Sequence, residues 1–259
     1  MIKINGQPYG LGNKLEELLS LAAYCSRNNE KGYYFWNNTN PNRSYPILVQ
    51  CANVEIQSVG EFSDAVTIPN FYHPHFTSRE EMVKEIKNIR FTVDFPKILD
   101  YRPYVSVHIR RGDRITSSVE GITAEDYMTE ALAEEIFFKT LCAVNEELPL
   151  NLFVSSDDRA YKQKFINGLN NKINVITCDD DVDPSLKIYQ DFLILANSDH
   201  IYMCSKYSSF AAIASLINNI PLCTFYKPEE STLVRNKVKF RRLRRLLNRR
   251  TLTTTVRAL

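Results

Sequence analysis

From Tyr104 to Tyr226 the chain alternates β-type runs with helical repeats, and this regularity restricts the fold more than any single residue does. Tyr104 to Arg110 alternates like a strand, Ala124 to Glu147 has helical periodicity, Asn151 to Ser155 reads as a strand and Arg159 to Asn170 as a helix. Strands at Ile173 to Thr177, His200 to Cys204 and Pro221 to Tyr226 follow, separated by helices at Leu186 to Ala196 and Ser208 to Asn218. Such alternation builds a parallel sheet covered on both faces, with ligands beyond the carboxyl ends of its strands. The expected fold class is α/β.

The N-terminal part is less regular. Leu15, Leu18, Leu19, Ala22 and Ala23 give Leu11 to Asn28 helical spacing, and Gly10 and Gly12 form a glycine-rich turn at its start. β-type runs at Tyr33 to Trp36 and Ile47 to Ile56 precede an aromatic, proline-rich stretch around Pro69 to Phe76. A helix is expected from Ser78 to Ile89 and a linker from Asp94 to Pro103. This divides the chain into residues 1–100, residues 101–230 and a C-terminal tail, 231–259.

With 259 residues, 44% of them hydrophobic and 24% charged, the chain can bury a full core without disulfides or metal, which excludes collagen-like, disordered and mini-protein classes. The formal charge of +2 hides a division. Beyond Glu230 there are ten basic residues and no acidic one, leaving 22 basic against 30 acidic in residues 1–230, or −8. No window approaches the roughly 18 apolar residues a membrane span needs, and MIKINGQPYG has neither a basic leader nor an apolar signal core, so a cytoplasmic location is expected. The six cysteines include no CxxC pair and no histidine at zinc-ligand spacing; they read as reduced, mostly buried thiols.

The segment richest in chemistry is VSVHIRRGDR, Val105 to Arg114. A strand ends by delivering His108, Arg110, Arg111 and Asp113 to a loop opened by Gly112. Alternation puts His108 and Arg110 on one side and Arg111 on the other. One guanidinium here is suited to grip a diphosphate bidentately, while the other pairs with Asp113. A purely structural ion-pair turn is the competing reading.

HxRRxD after a strand resembles the signature of the GDP-fucose-dependent fucosyltransferases of the α1,2, α1,6 and nodulation types. Three further segments match in order: Gly10-Leu11-Gly12-Asn13 before a helix; Phe153 to Asp157-Asp158 at a strand end; and Asp191-Phe192 through His200 to Ser208-Ser209-Phe210. The resemblance implies a GT-B-like enzyme with two Rossmann-like domains, an inverting, metal-independent mechanism and no cofactor beyond the donor. By it, Arg110 grips the β-phosphate with hydroxyl help from Ser208 or Ser209 at a helix start. His108 and Asp191 contact guanine, Arg111 belongs to the donor site, and Asp157 or Asp158 lies near the base or ribose. Gly10, Gly12 and Asn13 close over the donor from the other domain. The α1,6-type enzymes carry a glutamate where this chain has Ser118, which leaves Glu120 and Asp113 as rival general bases; Tyr127 matches an aromatic near the donor and equally fits packing. The implied activity is transfer of L-fucose from GDP-β-L-fucose to a glycan hydroxyl, giving an α-linkage. Use of another GDP-sugar, or a catalytically silent adaptor on the same fold, is the alternative.

Other polar clusters have plainer readings. Asp179-Asp180-Asp181 with Asp183 suggests a metal-binding DxD but reads as a solvated acidic turn, His73 and His75 as a surface loop, His200 as structural, and Trp36 with Tyr33, Tyr34 and Phe35 as core. In the tail, Val238, Leu243, Leu246 and Leu247 interleave with nine basic residues between 235 and 250, the pattern of a basic amphipathic helix. It reads as a solvated helix or as a peripheral anchor on an anionic membrane face, which would make the acceptor a lipid-linked glycan. Nucleic acid is not an expected partner, since the −8 body would repel phosphate.

Overall fold

The computed structural model describes residues 1–66, 77–93, 103–111, 135, 150–169, 173–177, 182–205 and 208–224. In chain order the elements are β1 (Ile2–Asn5), α1 (Leu11–Asn28), β2 (Gly32–Phe35), β3 (Val49–Cys51), β4 (Val54–Gln57), α2 (Arg79–Glu85), β5 (Ile89–Phe91) and β6 (Val105–Ile109). There follow β7 (Leu150–Ser156), α3 (Arg159–Asn167), β8 (Ile173–Ile176), α4 (Pro184–Ala196), β9 (His200–Met203), α5 (Ser209–Ile217) and β10 (Leu222–Thr224). The chain forms two units: Met1–Pro96 with Cys178–Ala196 and Ser209–Asn219, and Lys97–Thr177 with Asn197–Ser208 and Ile220–Leu259. Helices α4 and α5 thus group with the N-terminal sheet.

In the first unit the strand order is β1-β2-β4-β3-β5. β1, β2 and β4 run parallel, and β3 is antiparallel to both β4 and β5. α1 spans the residues its leucine spacing predicts. It starts from Gly10 in extended backbone and stops at Asn29, whose left-handed φ of 52° turns its N–H back onto the Cys25 and Ser26 carbonyls. α2 begins with a capping box, the Ser78 hydroxyl accepting the Glu81 N–H and the Glu81 carboxylate accepting the Ser78 N–H. The core is aromatic: Tyr34, Trp36 and Phe192 are fully buried, and the Phe192 ring sits 5.6 Å from Phe91 and 5.3 Å from Phe210. Trp36 Nε1 donates to the Tyr45 carbonyl, as a buried indole must find an acceptor.

Two expected elements are corrected here and one unexpected strand is added. The run from Ile47 to Ile56 is two short strands, β3 and β4, folded about Ala52-Asn53. The helix from Ser78 ends at Glu85 and passes through a 3-10 turn, Ile86–Asn88, into β5. β1, only four residues long, has no counterpart among the predicted elements. The expected helix Ala124 to Glu147 lies outside the described residues except for Glu135, as do the basic tail and the expected linker Asp94 to Pro103 except for Pro103.

The second unit carries the predicted parallel sheet, in the order β10-β9-β6-β7-β8. β6 is buried at all five positions, as a strand covered on both faces must be. Val105, Val107 and Ile109 pack with Leu152, Val154 and Ile173 and are covered by Phe165 of α3. Each such side chain contributes about 1.5–3 kcal/mol on burial. The first strand of this sheet, β6, stands in the middle; the next two lie to one side and the last two to the other. This is the doubly wound arrangement, and its order reverses between β6 and β9. Of the cysteines described, Cys25 and Cys204 are buried, Cys51 and Cys223 half-buried, and all four are free thiols.

Candidate functional site

Open α/β sheets bind ligands where the strand order reverses, beyond the carboxyl ends of the strands. In the second unit that point falls between the end of β6, which carries His108, Arg110 and Arg111, and the end of β9, which leads to Ser205 and Ser208. A chain of hydrogen bonds crosses it. His108, 5% exposed, has Nδ1 3.3 Å from Ser155 Oγ on β7 and Nε2 2.9 Å from Ser208 Oγ. The parallel register pairs His108 with Ser155 on one side and Met203 on the other, which brings both partners within reach. A hydroxyl can donate or accept, so the two serines satisfy either tautomer of the neutral imidazole. With both nitrogens engaged, a guanine contact at His108 would have to displace a serine.

The two arginines have different settings. The Arg111 main-chain N–H donates to Asp157 Oδ1 at 2.7 Å, and its guanidinium stacks on the Tyr161 ring, 3.8 Å from the centroid. Asp158 Oδ1 accepts the Tyr161 N–H at 2.8 Å and so caps α3, while Ser156 Oγ accepts the Asp158 N–H. The Ser-Ser-Asp-Asp turn therefore serves Arg111 and α3. Arg110, half-buried, is the residue that leaves β6 directly at the crossover point.

In the first unit, Gly12 and Asn13 begin α1 against the start of α5. The Ser209 hydroxyl donates to Asn13 Oδ1. A Cβ on Gly12 would lie 2.6 Å from Phe210 Cα, so close helix approach requires glycine there, whereas a Cβ on Gly10 would meet nothing within 4 Å. Asp191 sits half-buried on α4.

No family model matches the sequence, and no curated protein resembles it. Among solved structures the fold resembles the fucosyltransferase NodZ from Bradyrhizobium, with TM-score 0.52 and 13% identity over 83% of this chain and 92% of that one. NodZ α1,6-fucosyltransferase co-crystallised with GDP gives TM-score 0.52 at 14% identity, again over 83% and 92%. POFUT1 in complex with GDP gives TM-score 0.55 at 12% identity over 86% of this chain and 97% of that one. The chain has a fucosyltransferase-type fold.

Within that fold some expected site residues fall outside the described positions: Asp113, Glu120, Tyr127, Asp179 to Asp181, His73 and His75. Asp183 accepts from the Ser185 N–H and hydroxyl at the start of α4, and these bonds hold its carboxyl below the usual carboxylate range. Among the described residues no His, Cys, Asp and Glu cluster is arranged to hold a metal, and no helix is long and apolar enough to cross a membrane. His200 stacks with Tyr202 at the entry to β9.

Sequence reasoning missed three polar residues. Ser155 was visible only as part of a motif, because its role depends on strand register. Lys14 and Glu17, which enter none of the patterns read from the sequence, are 0% and 3% exposed. Lys14 Nζ donates to the Gln7 and Asn37 carbonyls and lies 5.4 Å from the Trp36 ring centroid. Glu17 accepts from Tyr34 Oη at 2.5 Å and from the Gln7 N–H. Burial dominates both, pushing Lys14 down to about 8 and Glu17 up to about 7.

Proposed function

We propose that this protein is a glycosyltransferase that moves L-fucose from GDP-β-L-fucose to a glycan hydroxyl, with inversion to an α-linkage and without a metal. The observation that carries the reading is the hydroxyl–imidazole–hydroxyl chain across the β6/β9 crossover, with Arg110 directly after β6 in the chain, in a fold shared with fucosyltransferases. In this reading Arg110 binds the β-phosphate bidentately and Ser208 donates its hydroxyl to the same group. Both contacts strengthen as the diphosphate leaves and gains charge. The acceptor oxygen attacks the anomeric carbon, the carbon–phosphate oxygen bond breaks, and the hydroxyl proton passes to Asp113 or Glu120. Arg111, stacked on Tyr161, shapes the loop rather than reaching the phosphate.

Calorimetry with GDP, followed by transfer assays with GDP-fucose and GDP-mannose, tests the reading. GDP binding and transfer from GDP-fucose are expected; transfer only from GDP-mannose would replace the donor, and no GDP binding would reject the enzyme. Arg110→Ala is expected to raise the barrier by about 3–4 kcal/mol, abolishing measurable transfer with the fold intact. A folded variant retaining more than about a tenth of the rate would refute Arg110's role. The proposal extends to residues 235–250, whose positive charges would dock on an anionic membrane beside a lipid-linked acceptor. Deleting residues 231–259 should then abolish cosedimentation with phosphatidylserine vesicles, and unchanged cosedimentation would reject docking.

A further inference from the structure

Motif matching makes His108 a ligand for the donor's base, but its surroundings give it another duty. Its ring is buried, and both nitrogens are committed to serines on two different segments, one on β7 and one just after β9. We propose that His108 is a positioning residue: anchored by Ser155, it aims the Ser208 hydroxyl at the leaving diphosphate. The inference rests on the reading of this site as a GDP-sugar site.

The physical argument starts from the freedom of a serine. A hydroxyl rotates among three staggered positions, and only one of them serves a given ligand oxygen. Ser208 is 1% exposed, and its Oγ lies 2.9 Å from Nε2. When Nε2 donates its proton to Ser208, the serine's own proton must point elsewhere, toward an acceptor such as a phosphate oxygen. The tautomer that does this has a bare Nδ1, and the Ser155 hydroxyl 3.3 Å away is placed to donate to it. Ser155 therefore selects the tautomer, the imidazole fixes the direction of the Ser208 proton, and no net charge is buried. Each proton is accounted for: Ser155 to Nδ1, Nε2 to Ser208, Ser208 to the ligand. The neighbouring Arg110 supplies the charge, so the serine needs only to supply direction.

Two substitutions of His108 separate this role from packing and from base recognition. Gln places an amide nitrogen near the position of Nε2, whereas Asn places one near Nδ1. His108→Gln should keep GDP affinity and kcat within about threefold of wild type, while His108→Asn should weaken GDP binding and lower kcat by about tenfold or more, like Ser208→Ala. GMP, which lacks the β-phosphate, should bind His108→Asn within about twofold of wild type. The double variant His108→Asn/Ser208→Ala should lose little beyond Ser208→Ala alone, since the histidine acts through that hydroxyl. Calorimetry with GDP and GMP and single-turnover rates on the full chain, with melting curves to establish folding, read all of these. If His108→Asn does not fold, His108→Gln with the Ser155→Ala and Ser208→Ala cycle decides the matter. Equal loss of GMP and GDP affinity would make His108 a base ligand, and unchanged GDP affinity and rate in both variants would make it packing; either overturns the proposal. Absence of GDP binding by the wild-type protein would instead sink the parent reading, and this inference with it.

Discussion

Each unit buries a polar cluster at the carboxyl ends of its parallel strands, but the two are built from opposite materials. In the first unit, Lys14, Glu17 and Tyr34 are ionisable, and they hold main chain: Lys14 takes the Gln7 and Asn37 carbonyls, just beyond β1 and β2, while Glu17 takes the Gln7 N–H. In the second, Ser155, His108 and Ser208 form a hydroxyl–imidazole–hydroxyl chain that holds side chains. Buried ionisable groups are costly to remove one at a time because the partner is left uncompensated. Hydroxyls are cheap to lose but direct a proton precisely where geometry demands it. The contrast assigns the first cluster chiefly to stability and the second to the site.

The largest effect expected from breaking the contrast is on the first cluster. Lys14→Met fills the same space but leaves the Gln7 and Asn37 carbonyls without their donor, and should cost about 3–5 kcal/mol by urea denaturation. A loss under about 1 kcal/mol would mean that the lysine is replaceable filler.

The charge of the same cluster gives it a pH signature. Glu17 titrates near 7 in the fold against an ordinary 4.5, so between those values the native chain holds a proton that the unfolded chain has released. Stability from this residue therefore falls as pH rises from about 4.5 to 7. Lys14, at about 8 against 10.5, has lost its proton in the native state while the unfolded chain retains it, so its contribution rises across that upper window. The cluster should impose a trough of stability between about pH 7 and 8. Glu17→Gln should remove the lower limb, a difference on the order of 2–3 kcal/mol between pH 4.5 and 7.5, read from denaturation midpoints in wild type and variant. Parallel curves for the two proteins would show that Glu17 does not carry the slope.

The glycine turn between those strands and α1 offers a sharper internal control. Gly12→Ala would drive a methyl into the Phe210 main chain and should cost about 1–3 kcal/mol, whereas Gly10→Ala meets open space and should leave stability within about 0.5 kcal/mol. Equal effects at both would mean that α1 and α5 do not need their close approach.

What could be read from the sequence follows the same physical division. The alternation after Tyr104 gives the second sheet because its strands are short, mostly apolar runs such as VSVHI and LNLFVSS, set between helices long enough to show a period. The first sheet was only partly legible: IKIN is too short to register, and Ala52-Asn53 folds one apparent strand into two. Arg110, Arg111 and His108 stood out because charged residues ending an apolar strand are conspicuous. Ser155 could not, since only the pairing of His108 with Ser155 across β6 and β7 gives it meaning. Lys14 and Glu17 were hidden for the opposite reason, as charge on a helix ordinarily signals solvent.

The smallest effect distinguishes the second cluster most cleanly. Ser155→Ala removes one neutral hydrogen bond to His108 and should cost about 1 kcal/mol of stability, within the range of any buried serine. If the serine–histidine cluster were built for stability like the charged one, the loss would approach that of Lys14→Met and activity would simply follow the folded fraction. If it is built for direction, the fold barely notices, yet the imidazole is free to adopt the other tautomer, in which bare Nε2 accepts the Ser208 proton and withdraws it from the ligand. The expected result is a folded protein whose rate falls about three- to tenfold at saturating donor while its melting temperature moves only a few degrees. A rate unchanged in the folded variant would place both clusters in the same structural class and erase the contrast between the units.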